Sequence, residues 1–84
     1  MNTYRPKKLI EGRKLKPEFA GKDYIAVPEK KLPCQVIFNN LTMHIEENTP
    51  FVMINRFRDQ FKRDEFYYLR YYEWKPENPT LFTL

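Results

Sequence analysis

Residues 66–74, reading FYYLRYYEW, constrain the fold of this chain more than any other stretch. Six of the nine are aromatic, so a tenth of the sequence holds close to half of its 14 aromatic side chains. Aromatic enrichment is a strand signature, because large rings pack well on a pleated, half-buried surface. Pro76 and Pro79 stop the run. As a strand it places Phe66, Tyr68, Arg70, Tyr72 and Trp74 on one face and Tyr67, Leu69, Tyr71 and Glu73 on the other.

Arg70 decides which face is expected outside. A guanidinium is rarely buried without a partner, so its face is expected to meet solvent or a ligand. Leu69, between Tyr67 and Tyr71, makes the opposite face the natural core. Tyr68, Arg70 and Tyr72, extended by Trp74, then form an exposed ladder that is the candidate partner-binding surface. Tyr, Trp and Arg dominate protein-interface hot spots, and rings of this kind also stack on nucleobases. Against this stands a plainer use, favoured by a small margin: outward tyrosines cover neighbouring strands while an arginine stem lies across them. A helix over the same residues would instead give a Tyr67–Tyr71–Trp74 stripe and no ladder.

The clearest local pairing lies upstream. CQVIF (34–38) and LTMHI (41–45) flank Asn39-Asn40. Asparagine tolerates positive φ better than any residue but glycine, so Asn-Asn suits a two-residue primed turn. Cys34, Val36 and Phe38 share one direction. Leu41, Met43 and Ile45 share a face, with Thr42, His44 and Glu46 opposite. YIAV (24–27) is a further short strand before Pro28.

Residues 51–63 read two ways. FVMI (51–54) is expected as a short buried strand. Thr49-Pro50 resembles a helix N-cap with proline at the first helical position. Phe51, Ile54, Phe57 and Phe61 then recur at helical spacing, with Asp59 and Arg63 as an i,i+4 pair. The rival is a strand through Phe57 and a polar turn at residues 62–65. The spacing favours a short strand followed by a helical segment over 55–63. LFTL (81–84) reads as a short edge strand or a packed tail.

With 84 residues there is room for one domain. The seven phenylalanines are the expected mainstay of its core. The expected fold is mostly β, an α+β variant if one short helix forms, built as a small antiparallel sheet or an SH3- or OB-like partial barrel. Residues 1–19 are expected as a basic extended arm, disordered or laid over the body, and residues 20–84 as the domain.

Charge supports that division. Residues 1–16 hold Arg5, Lys7, Lys8, Arg13, Lys14 and Lys16 against Glu11 alone, a net of +5, whereas the rest of the chain is −1. Those six bases are the candidate contacts for nucleic acid or an acidic partner, through salt-sensitive, sequence-independent binding. A solubilising tail is their plainer reading.

Catalytic chemistry is sparse. There is no serine, and His44 and Cys34 are the only residues of their types. Their predicted opposite facing gives no zinc cluster, so neither metal nor cofactor is expected. Glu46-Glu47 and Asp64-Glu65 fall in predicted turns, where solvated charge is the expected role. A lone cysteine and the absence of a long apolar run point to a reducing, cytoplasmic setting with no membrane partner.

The expectation is therefore a small non-enzymatic protein-interaction module of the inhibitor or adaptor type. Its length, Lys/Asn/aromatic bias and lack of catalytic groups are in the style of phage or mobile-element accessory proteins. Its expected partner is another protein. The alternatives are a single-strand or non-specific nucleic-acid binder, and a structural subunit of a larger assembly.

Overall fold

The computed structural model describes residues 2–77. Seven strands form two sheets: β1 (Asn2–Tyr4), β2 (Ile10–Glu11), β3 (Asp23–Pro28), β4 (Cys34–Phe38), β5 (Leu41–Ile45), β6 (Met53–Arg58) and β7 (Phe66–Glu73). The smaller sheet has the order β1-β4-β5 and the larger β2-β3-β7-β6. Every pairing is antiparallel except β1 with β4. Three short 3-10 turns, at Gly12–Lys14, Pro17–Phe19 and Glu29–Lys31, are the helical elements among the described residues. The mostly β expectation is met, as a two-sheet domain. The 81–84 segment lies outside the described residues.

The predicted hairpin is present in its predicted register. Cys34 pairs with Ile45, Val36 with Met43 and Phe38 with Leu41. Asn39 and Asn40 take φ of 52° and 65°, the two positive values that a primed turn requires.

The core forms where the two sheets face each other. Ile25, Val27 and Tyr72 from the larger sheet meet Cys34, Val36 and Ile45 from the smaller, with Leu32 from the connection between them. Full burial of each aliphatic group here contributes about 1.5–3 kcal/mol relative to exposure. Among the described residues no phenylalanine is buried, contrary to the sequence expectation. Their buried aromatics are Tyr24, Tyr71 and Tyr72, and four of their phenylalanines are exposed instead.

Residues 2–19 pack on this body rather than extending from it. β1 continues the smaller sheet, and β2 continues the larger one. After β2, the Phe19 ring packs on the Tyr24 ring of β3 with centres 5.1 Å apart. Gly12 is required at this contact. A Cβ there would sit 2.0 Å from the Phe19 carbonyl oxygen.

The 55–63 helix does not form. Residues 53–58 are strand β6, paired with β7 from Met53–Tyr71 to Arg58–Phe66. The residues that resembled helix signals make turns. The Thr49 hydroxyl accepts the Glu46 N–H at 2.8 Å, reaching backward rather than into a following helix. Asp59 accepts the Phe61 N–H at 2.8 Å in a side-chain turn. Asp64 then takes a positive φ of 64°. Nor is the 51–54 run buried: Phe51, Val52 and Ile54 are all exposed.

Candidate functional site

Strand β7 runs from the core into solvent, and its side chains follow that path rather than a division between faces. At its C-terminal half Tyr71 and Tyr72 point to opposite faces, yet both are buried. At its N-terminal end Phe66 is 51% and Tyr68 41% exposed. The expected outward set of Tyr68, Arg70 and Tyr72 is therefore corrected. Tyr72 is 1% exposed and belongs to the core, because its face is the one the smaller sheet covers. Trp74, also assigned to the ladder, is half-buried against that core and edge-on to Phe38 at 6.3 Å. Tyr68 alone of the four is exposed.

Arg70 closes the rim of the sandwich. Its side chain is 17% exposed. Nε and Nη2 donate to Glu29 Oε2 at 3.1 and 2.7 Å, and Nη1 donates to the Glu47 carbonyl at 3.0 Å. The guanidinium also lies 5.0 Å from the Phe51 ring centre. The expectation that this guanidinium meets solvent or a ligand is corrected: its partner is Glu29, 41 residues away in the same chain. Hydrogen bonding to Glu29 above all, with the nearby Tyr72 phenol contributing, raises the Arg70 pKa and holds the side chain in its charged form. Burial raises the Tyr72 phenol pKa against the opposing pull of Arg70. Its buried hydroxyl has no partner in hydrogen-bond geometry.

Beyond Arg70 the same face continues without cover. The register places Ile54, Arg56 and Arg58 of β6 beside Arg70, Tyr68 and Phe66 of β7. Arg56 lies over the Phe66 ring at 4.6 Å, and neither Arg56 nor Arg58 has a carboxylate partner among the described residues. On the reverse face Phe57 stacks on Tyr67 at 5.9 Å. Phe61, at the hairpin tip, is 93% exposed. Every large exposed hydrophobic among the described residues falls within 51–68: Phe51, Val52, Ile54, Phe57, Phe61, Phe66 and Tyr68. The rival sequence expectation, a strand through Phe57 and a polar turn at 62–65, matches this hairpin, whereas the favoured buried strand and helix do not form.

The six bases of the N-terminal segment, Arg5, Lys7, Lys8, Arg13, Lys14 and Lys16, are all exposed. Arg13 is paired with Glu11 at 2.9 Å. They flank β1 and β2, whereas the aromatic hairpin ends the larger sheet at β6. Strands β3 and β7 intervene, so β2 and β6 are about 14 Å apart at the usual strand spacing. The structure does not merge the basic set and the aromatic set into one surface.

The remaining reactive groups are apart from each other. Cys34 is buried, and burial pushes its thiol pKa up, with Lys31 opposing. His44 is on the outer side of β5, where Nδ1 and the backbone N–H approach the Glu77 carboxylate at 2.9 and 3.2 Å. Those bonds, the side-chain one first, hold the Glu77 carboxyl below the usual range. Among the described residues no group of three or more His, Cys, Asp or Glu could hold a metal ion, and no helix is long and apolar enough to cross a membrane.

A small two-sheet β domain with an uncovered aromatic–arginine hairpin is thus the class that fold and site define. No family model, curated protein or solved structure matches the chain.

Proposed function

We propose that this chain is a non-enzymatic protein-interaction module, of the inhibitor or adaptor type, whose contact surface is the β6–β7 hairpin. One observation carries the reading: all seven large exposed hydrophobics of the described residues lie within 51–68, five in this hairpin and Phe51 and Val52 in the two residues leading into β6. Soluble domains scatter exposed apolar groups, and their concentration in one projecting element, on both its faces and at its tip, marks a surface meant to be covered. Its composition is aromatic and arginine-rich at the centre, as protein interfaces are. Residues 51–68 carry Arg56, Arg58, Lys62 and Arg63 against Asp59, Asp64 and Glu65, a net of +1, which is a weak attractant for a polyanion.

The test is affinity capture from lysate at moderate salt with the wild-type chain and with an Ile54→Ser/Phe66→Ser variant. Both substituted positions are exposed, so the variant is expected to keep its fold by circular dichroism. A protein held by the wild type and lost from the folded variant is the expected result. Equal capture by both refutes the assignment. Recovery of nucleic acid that elutes steeply with salt, and depends on residues 5–16, refutes it in favour of the basic segment.

A further inference from the structure

β6 is more than part of an apolar patch: it is the end strand of the larger sheet, and among the described residues no strand pairs with its outer side. The ladder to β7 shows which of its backbone groups are free. Asp59 N–H donates to the Glu65 carbonyl at 3.0 Å, continuing the register of Arg58 with Phe66. In an antiparallel ladder, hydrogen-bonded pairs recur every second residue. The backbone groups of Met53, Asn55 and Phe57 therefore turn toward β7, and those of Ile54, Arg56 and Arg58 turn outward. Proteins commonly blunt such an edge with proline, charge or a covering segment. Here there is no proline in the strand; its charge is Arg56 and Arg58, which disfavour self-pairing, and Ile54 and Phe57 remain exposed on its two faces.

We propose that β6 is the docking edge for an extended acidic segment of a partner protein, which adds antiparallel to the larger sheet as a fifth strand. The proposal rests on the hairpin being a protein contact surface. Charge complementarity selects the occupant. The outward-turned residues present an apolar side chain followed by two arginines, neither paired with a carboxylate among the described residues. Arg56 is held against Phe66, which leaves the edge of its guanidinium free to take a carboxylate. A matching strand reads acidic-x-acidic-x-apolar, with its carboxylates over Arg58 and Arg56 and its apolar group beside Ile54. A second copy of this chain is a poor occupant, since two-fold pairing at β6 puts four unpaired guanidinium groups into one short ladder. Residues 78–84 contain no acidic side chain to answer the arginines.

The probe is a capped peptide, Thr-Glu-Thr-Glu-Thr-Val-Thr-Asn, titrated into the 15N-labelled chain. Saturable shifts and slowed hydrogen exchange at the amides of Ile54, Arg56 and Arg58 are expected. Replacing both glutamates by lysine weakens binding about tenfold or more. N-methylating the two Glu and the Val amides abolishes it, because those N–H groups pair with the β6 edge. In an Arg56→Glu/Arg58→Glu variant the preference inverts toward the lysine peptide. No saturation at millimolar peptide, equal affinity of the glutamate and lysine forms, indifference to N-methylation, or shifts confined elsewhere each overturn the proposal. So does tighter binding of an oligothymidylate to the same amides. If capture through Ile54 and Phe66 persists while every peptide fails, strand addition falls and the contact-surface reading stands.

Discussion

Replacing Arg70 separates a structural role from a binding role at the centre of the aromatic run. In Arg70→Met the aliphatic stem is retained and the guanidinium is lost. The ion pair with Glu29 goes first. Glu29 is 41% exposed, so solvent screening limits that pair to about 1 kcal/mol. The bond from Nη1 to the Glu47 carbonyl, a charged donor at 3.0 Å, contributes about 1 kcal/mol more. Packing of the cation on Phe51 adds about 0.5–1 kcal/mol. The expected loss is thus about 2–3 kcal/mol, a large share of the stability of a domain this small. In thermal terms that is a fall in Tm of roughly 10–20 °C. Urea unfolding followed by tyrosine and tryptophan fluorescence measures it, with Glu29→Gln and the double variant closing a cycle whose coupling is about 1 kcal/mol. Tyr68→Ser is the contrast, expected to change stability by about 0.5 kcal/mol or less. If Arg70→Met stays within about 0.5 kcal/mol of wild type, Arg70 does not close the rim and its place in an exposed ladder returns; if Tyr68→Ser proves the costlier change, Tyr68 is packed and not free for a partner.

Tyr72→Phe removes a buried hydroxyl that lacks a hydrogen-bond partner, so stability is expected to hold or rise by up to about 1 kcal/mol in the same unfolding assay. A clear loss means the hydroxyl is satisfied. Gly12→Ala drives a Cβ into the Phe19 carbonyl and to 2.8 Å from the Tyr24 ring, with an expected cost of about 2–4 kcal/mol by denaturation. A neutral outcome shows that residues 12–19 do not pack closely on β3. Glu77 has a folded-state pKa below its ordinary value, so its bond to His44 stabilises above the usual carboxylate range and is lost as pH falls through the lowered value. Carboxyl titration by NMR should place Glu77 below the ordinary glutamate value, with protection of its amide on the Thr42 carbonyl fading in the same acid range. Titration at or above that ordinary value contradicts the clamp.

Local chemistry determined part of this protein outright. Two asparagines between alternating runs specify the β4–β5 hairpin, because positive φ and a two-residue side-chain period are properties of the nearest neighbours. The same alternation puts Cys34 in the core and His44 outside. Aromatic density made residues 66–73 a strand. What the tertiary structure alone decided is where cover ends. Tyr71 and Tyr72 lie on opposite faces of one strand and both are buried, while Phe66 and Tyr68, a few residues earlier, are not. Alternation assigns a side chain to a face but is silent on what lies over that face. Here that depends on the extent of the smaller sheet and the path of residues 2–19. Arg70 was misassigned for the same reason: Glu29 reaches it only after two segments 41 residues apart are folded together. Thr49, Pro50 and Asp59 satisfy helix and turn rules equally well, and β7, offering Met53–Arg58 a ladder, made the segment a strand. The aromatic run was legible as a strand; which of its rings are free to meet a partner was a property of the assembled sheets.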